Sequence, residues 1–287
     1  MADIAVFGGA NIDIKAKVNA PNRLGTSNPG IVTTTAGGVG RNIAHNLARL
    51  GADVALISVV GQDVHGDAVL SETKRAGVDV SRVVRSDIST GSYVALLDHD
   101  GEMISALSDM RCADLLTPDV IMAQEKTIEL ARLVVADCNL PQESLNLLAE
   151  LAGGKLVIEP VSVPKSRKLI EVLKTSQVYL ASPNFDQIEQ MAGTRDIESA
   201  FRFLHGKGLT HVVIHAGAEG AFVSDGVEIE HVEAQPPQRI VDVTGAGDAA
   251  VAGLVYGLLH DEPLAVAAAR GQSLAGRVIA GAFSTLE

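Results

Sequence analysis

The chain alternates short apolar, β-branched runs with longer stretches whose apolar positions recur every three or four residues. IAVFG (4–8) precedes RNIAHNLARLG (41–51), and VALISVV (54–60) precedes GDAVLSETKRAG (66–77). The same grammar resumes with LVVADC (133–138), a helix opened by Pro141, KLVIEP (155–160) and a helix over 165–174. It continues through VYLAS (178–182), a helix from Asn184, and HVVIHAG (211–217). This is the pattern of βαβ units. The runs are apolar on both faces, which predicts an α/β three-layer sandwich: a mostly parallel sheet covered by helices on each side.

Two segments break the pattern. Residues 12–36 are polar, with Pro and Gly and little helical period, while 91–111 holds SYVALLD (92–98) and MISALS (103–108) joined by the turn HDGE (99–102). Both are expected to form a small β-sheet lid inserted into one α/β domain spanning 1–287. An edge hairpin and a surface loop without a role is the plainer alternative.

Composition narrows the function classes. With 47% hydrophobic residues in 287, a substantial core can be buried, and 23 Lys plus Arg against 35 Asp plus Glu give a net charge of −12. An acidic surface disfavours nucleic acid as a partner. Cys112 and Cys138 are too few and too far apart for a disulfide framework or zinc knuckle, so buried thiols in a reducing compartment are expected. No stretch has the roughly 18 unbroken apolar residues of a membrane span, and MADIAVFGG does not read as a signal peptide. A cytoplasmic protein without membrane partners is the expectation.

Three glycine-containing stretches carry candidate chemistry. In GGANID (8–13), Asn11 and Asp13 leave a strand end together, where open α/β sheets collect ligands; an Asx turn at Asn11 is the alternative. In AGGVGRNIAHNL (36–47), Gly38 and its neighbours precede a helix whose free N–H groups and Asn42 suit a diol, or merely make a turn. In DVTGAGDA (242–249), the amides of Gly245, Ala246 and Gly247 can converge on an anion beside Asp248. Asp248 is then either an acid satisfying the helix dipole or a base beside a phosphate. A helix N-terminus would keep its pKa low. Gly245-x-Gly247-x-x-Ala250 also matches a dinucleotide fingerprint formally, but the βαβ context is missing. No Walker-type motif occurs. His211 and His215 lie roughly 13 Å apart along a strand and are not a metal pair.

GGANID, GGVGRN and DVTGAGDA, in this order, resemble the ribokinase-like (PfkB) family of carbohydrate and nucleoside kinases, and the resemblance covers essentially the whole chain. Further stretches, SNPGIVTTTAGGVGRNIAHNLARLG (27–51), LLDHDGEMISALSDM (96–110), VVADCN (134–139) and EPVS (159–162), look like those of the family's branch that phosphorylates pseudouridine. The resemblance implies ATP-dependent transfer to the 5′-hydroxyl of pseudouridine, with Asp248 as catalytic base and Gly245, Ala246 and Gly247 as anion hole. It places the sugar against Asn11, Asp13, Gly38, Asn42 and Asn139, and the base against Ser108, Asp109 or Met110. ATP is expected near Asn184, His215, Gly217 and Gly220, with Mg2+ organised around Asn184. Asp242 and Thr244 match a loop that holds a monovalent cation, usually K+, in many members. A homodimer through the lid is likewise implied.

The chain departs from the family at NFDQ (184–187), where Gln187 replaces the Glu of Asn-x-x-Glu; Asp186 or Glu189 could substitute. It also has His215-Ala216-Gly217 where many members carry Thr-x-Gly. The alternatives are another sugar or nucleoside kinase of the family, ribokinase-like or adenosine-kinase-like, and a non-catalytic nucleotide-binding regulator.

Overall fold

The computed structural model describes residues 2–235, 239–281 and 284–286. Its strands, in chain order, are β1 (Ile4–Phe7), β2 (Asn11–Val18), β3 (Gly30–Gly37), β4 (Val54–Ile57), β5 (Val59–Gly61), β6 (Val84–Ser86) and β7 (Gly91–Leu97). They continue with β8 (Met103–Asp109), β9 (Leu133–Asp137), β10 (Leu156–Glu159), β11 (Val178–Ala181), β12 (Leu209–His215), β13 (Ala221–Ser224) and β14 (Ile229–Val232). Eight of them form one sheet in the order β14-β13-β12-β11-β10-β9-β1-β4. Every pair from β12 to β4 is parallel; β13 and β14 add an antiparallel edge.

Side chains alternate across a strand, and both faces here are apolar. Ala5 and Phe7 of β1 pack with Ile57, Val134 and Ile158 under helical residues Leu145, Leu169 and Phe201. Ile4 and Val6 pack oppositely with Leu56 and Val135 under Ile43, Leu47, Val251, Leu254 and Leu274. These two cores make the three-layer sandwich expected from the sequence.

VALISVV is not one strand. Ser58 interrupts it by donating its hydroxyl to Gly8 O at 2.7 Å, so β4 stays in the main sheet and β5 leaves to pair with β6. The β13–β14 edge was not foreseen, its runs being only four residues each.

The second sheet has the order β3-β2-β7-β8. Its base is anchored: Ala10, Ile12 and Ala36 pack against Val60 and Val69. Arg41, completely buried, binds Ala36 O at 3.3 Å, Thr73 Oγ1 at 3.0 Å and Glu72 Oε1 at 2.7 Å. Both cysteines are free and buried, as expected. No helix among the described residues is long and apolar enough to cross a membrane.

Candidate active site

From β1 the sheet runs to β4 on one side and to β9, β10, β11 and β12 on the other. The crevice beyond the carboxyl ends of β1 and β9 is therefore a topological switch point, where open α/β sheets bind ligands. The turn after β1 touches the helix Val39–Arg49 closely. A Cβ on Gly8 would lie 2.8 Å from both Gly40 Cα and Asp137 Cγ, so glycine is required there. Asp137, the last residue of β9, is wholly buried and clamps this contact. Its Oδ2 accepts N–H bonds from Gly9 and Gly40, both 2.8 Å, and its Oδ1 accepts from Asn139 N at 2.8 Å. Burial pushes its pKa up against the pull of these bonds.

A polar cavity of about 490 Å³ opens above this clamp, and Asn11, Asp13, Gly38, Asn42, Asn139, Gly245 and Asp248 all line it. Asn11 is buried and donates to Asp13 Oδ1 at 2.7 Å, a strand-end contact in place of an Asx turn. Burial raises the Asp13 pKa. Asn42 donates to Asp248 Oδ2 at 2.8 Å, joining two motifs 206 residues apart. Asn139 Oδ1 accepts from Lys165 Nζ at 2.5 Å. Tyr93, Ser108 and Met110 bring the second sheet to the cavity wall. Asp109 does not join them: its carboxylate forms a two-pronged bond with Arg111, at 2.9 and 2.7 Å.

Asp248 sits in the first turn of the helix Ala246–Leu259, whose N-cap, Gly245, has φ 80°. A Cβ at Gly245 would be strained there and would also lie 2.7 Å from Ser284 Cβ. Ala246 N–H closes a turn on Val243 O at 3.2 Å. The Gly247 and Asp248 amides belong to the first turn, which has no preceding helical carbonyls to bind. The expectation of a low Asp248 pKa is corrected. Burial pushes it up to about 7, with Asp137 and Asp13 adding to the rise and Asn42 opposing it. Desolvation of the carboxylate outweighs the helix end.

Beyond Asp248 a second cavity, about 480 Å³, is lined by Glu159, Ser182, Asn184, Asp186, Gln187, His215, Gly217, Gly247 and Asp248 itself. Gln187 has a structural role. Asn184 Oδ1 accepts from Gln187 N and Gln187 Oε1 accepts from Asn184 N, each at 2.9 Å, a complete capping box for the helix Phe185–Ala192. Asp186 and Glu189, the candidate substitutes, both pair with Arg195, at 2.9 and 2.6 Å. The acid that sequence reasoning missed is Glu159, at the end of β10. Its Oε1 accepts from Val161 N at 3.1 Å, and its pKa is pushed up to about 8 by burial, with Asp248 and Asp137 adding to the rise. Val161 is strained, at φ 68°, in a γ-turn closed by Ser162 N to Pro160 O at 2.8 Å.

His215 lies on Ser182 Oγ at 2.6 Å, and burial holds its pKa near 4, so the ring is neutral. With Gly217, Gly220, Ile240, Val243, Ala275 and Ile279 it also lines a third, mostly apolar cavity of about 540 Å³. The three cavities meet at the Gly245–Asp248 turn. Asp242 and Thr244, expected to hold a monovalent cation, are instead bound by the ammonium of Lys15, which reaches Asp242 Oδ2 and, at 3.1 Å, Thr244 Oγ1.

The family model described as "pfkB family carbohydrate kinase" matches residues 1–282. The chain is 34% identical to a pseudouridine kinase of Escherichia coli, over 91% of this chain and 85% of that protein. It is 29% identical to a guanosine-inosine kinase of Exiguobacterium acetylicum, over 98% of this chain and 95% of that protein. Among solved structures, a ribokinase of Thermotoga maritima superposes with a TM-score of 0.88, covering 99% of this chain and 95% of that one. At 20% identity that last likeness concerns the fold alone.

Proposed function

The chain belongs to the pfkB family of carbohydrate kinases, and from that premise we propose that it phosphorylates the 5′-hydroxyl of pseudouridine with ATP, giving pseudouridine 5′-phosphate and ADP. The observation that carries the reading is the place of Asp248. It lines both the polar cavity and the cavity beside it, and it is bonded to Asn42 of the sugar-gripping motif. The substrate is argued from the Escherichia coli relative, which is named for that activity.

In this reading the ribose hydroxyls lie against Asn11, Asp13, Asn42, Asn139 and the Gly38 backbone. Strands β2, β3, β7 and β8 act as a lid on a single kinase domain; Tyr93, Ser108 and Met110 meet the base, while Asp109 acts only through Arg111. Closure excludes water, which would otherwise compete as acceptor. The Asp248 carboxylate takes the proton of the 5′-hydroxyl as that oxygen bonds to the γ-phosphorus and the bond to ADP breaks. The Gly245 and Gly247 amides supply backbone N–H groups for charge on the transferring group, while the Ala246 N–H, expected beside them, is turned to Val243 O instead. The apolar cavity between Ile240, Val243, Ala275 and Ile279 takes adenine, with His215, Gly217 and Gly220 on the way to the phosphates.

The donor set suits magnesium. Glu159, Asp186 and Asn184 bring side-chain oxygens to one cavity, where Asp186 also pairs with Arg195 and the Asn184 oxygen also accepts from Gln187 N. These residues would hold Mg2+ or its waters, and the ion would offset phosphate charge. A homodimer through the lid accords with apolar side chains left exposed there: Ile31, Val32 and Leu107.

The 29% relative favours a second reading, a purine nucleoside kinase. Phosphorus NMR of the product tests the chemistry. Coupling of the phosphate to the two 5′ protons is expected, and a phosphate on any other ribose oxygen would overturn it.

A further inference from the structure

Lys15 stands two residues after Asp13 on β2, so both side chains leave the same face of the second sheet. Asp13 lines the polar cavity. Lys15 crosses to the loop before the catalytic turn, 227 residues away in sequence. There the ammonium binds Asp242 Oδ2 and Thr244 Oγ1. The loop also closes on itself, because Asp242 Oδ1 accepts from the Thr244 amide at 2.9 Å and the Thr244 hydroxyl at 2.6 Å. Both Asp242 oxygens are thus engaged, and the residue that follows Thr244 is Gly245, the N-cap of the anion-binding turn.

The family resemblance assigns Asp242 and Thr244 to a free monovalent cation, and the residues here do not fit one. An ammonium group and a potassium ion carry the same charge and are similar in size. A free ion on these oxygens would lie beside a like charge where the side chains of Lys15 and Asp242 are each only 30% exposed, so water screens the repulsion incompletely.

We infer that the Lys15 ammonium is a tethered replacement for that cation: a positioning residue that fastens the lid to the Asp242–Thr244 loop and holds the Gly245–Asp248 turn ready for a phosphoryl group. Turnover therefore needs no potassium. The inference rests on the kinase reading for its catalytic consequence, but its structural part can be tested alone.

The experiment compares wild type with Lys15→Met in KCl and in NaCl at equal ionic strength, by kcat and by melting temperature. Wild type is expected to be indifferent to the salt in both measures. Lys15→Met is expected to lose at least about tenfold in kcat in NaCl, recover most of it in KCl or NH4Cl, and melt higher in KCl than in NaCl. Severalfold potassium stimulation of wild type overturns the inference even if the variant does not fold. So does a folded variant indifferent to the salt. If no acceptor is phosphorylated by wild type, the kinase reading fails, while the melting comparison still decides whether Lys15 fills a cation site.

Discussion

Asp248, the proposed base, is set by burial, which raises its pKa, by Asn42, which binds its carboxylate, and by the charges of Asp137 and Asp13, which add to the rise. Replacing it by Asn removes the base and keeps the shape. Asp248→Asn is expected to lower kcat by between about a hundredfold and ten thousandfold, with the nucleoside dissociation constant, measured by calorimetry, changed little. The pH dependence follows in sign. A carboxyl pushed up to about 7 is protonated below that pH and cannot accept a proton. Accordingly kcat/KM should be roughly tenfold below its plateau one pH unit under the pKa and flat above it; a profile level from pH 5.5 to 8 would contradict the assignment. The residues that glycine-rich motifs flank, Asn11, Asp13, Asn42 and Asp248, were legible in the sequence because such loops bring backbone and polar side chains to one place. Asp137, Glu159 and Lys15 were not. The first two each end an apolar strand, and only the sheet order shows that those strand ends share a crevice. Asp109 misled because its partner, Arg111, is two residues away and takes its carboxylate out of the cavity wall.

At the scale of elements, the helices were readable from their periodicity, and Gln187 shows what periodicity leaves out. It departs from the family's acid at that position, yet it completes a capping box as a glutamate would. Asn184→Ala should cost about 1 kcal/mol of stability in urea unfolding and weaken Mg·ATP binding, whereas Gln187→Glu should leave the melting temperature close to wild type. The Asp248 helix is held from behind as well. A Cβ on Gly253 would lie 2.8 Å from Gly271 Cα of the helix Leu264–Ile279. Gly253→Val should therefore destabilise by roughly 1–3 kcal/mol through overpacking and lower kcat by moving the turn that carries Asp248; an unchanged unfolding midpoint would refute the close-crossing account. The break at Ser58 and the β13–β14 edge escaped the sequence reading for a physical reason. One depends on a tertiary bond to Gly8, and the other on strands too short to show a period.

For the whole molecule, alternating β and α segments sufficed to give a three-layer sandwich, but not the strand order that makes β1 and β9 neighbours. That order brings separate motifs to one cavity: the glycine-containing turns after β1 and β3 meet the Gly245–Asp248 turn there. The exposed apolar residues of the second sheet predict a dimer by light scattering, and Leu107→Lys should shift it toward monomer; a monomeric wild type would refute this. The account's central claim is the identity of the acceptor. Steady-state kcat/KM with Mg·ATP across pseudouridine, uridine, guanosine, adenosine and ribose tests it most directly. Pseudouridine is predicted to have the highest value, and a higher value for any other acceptor in the panel would contradict the account.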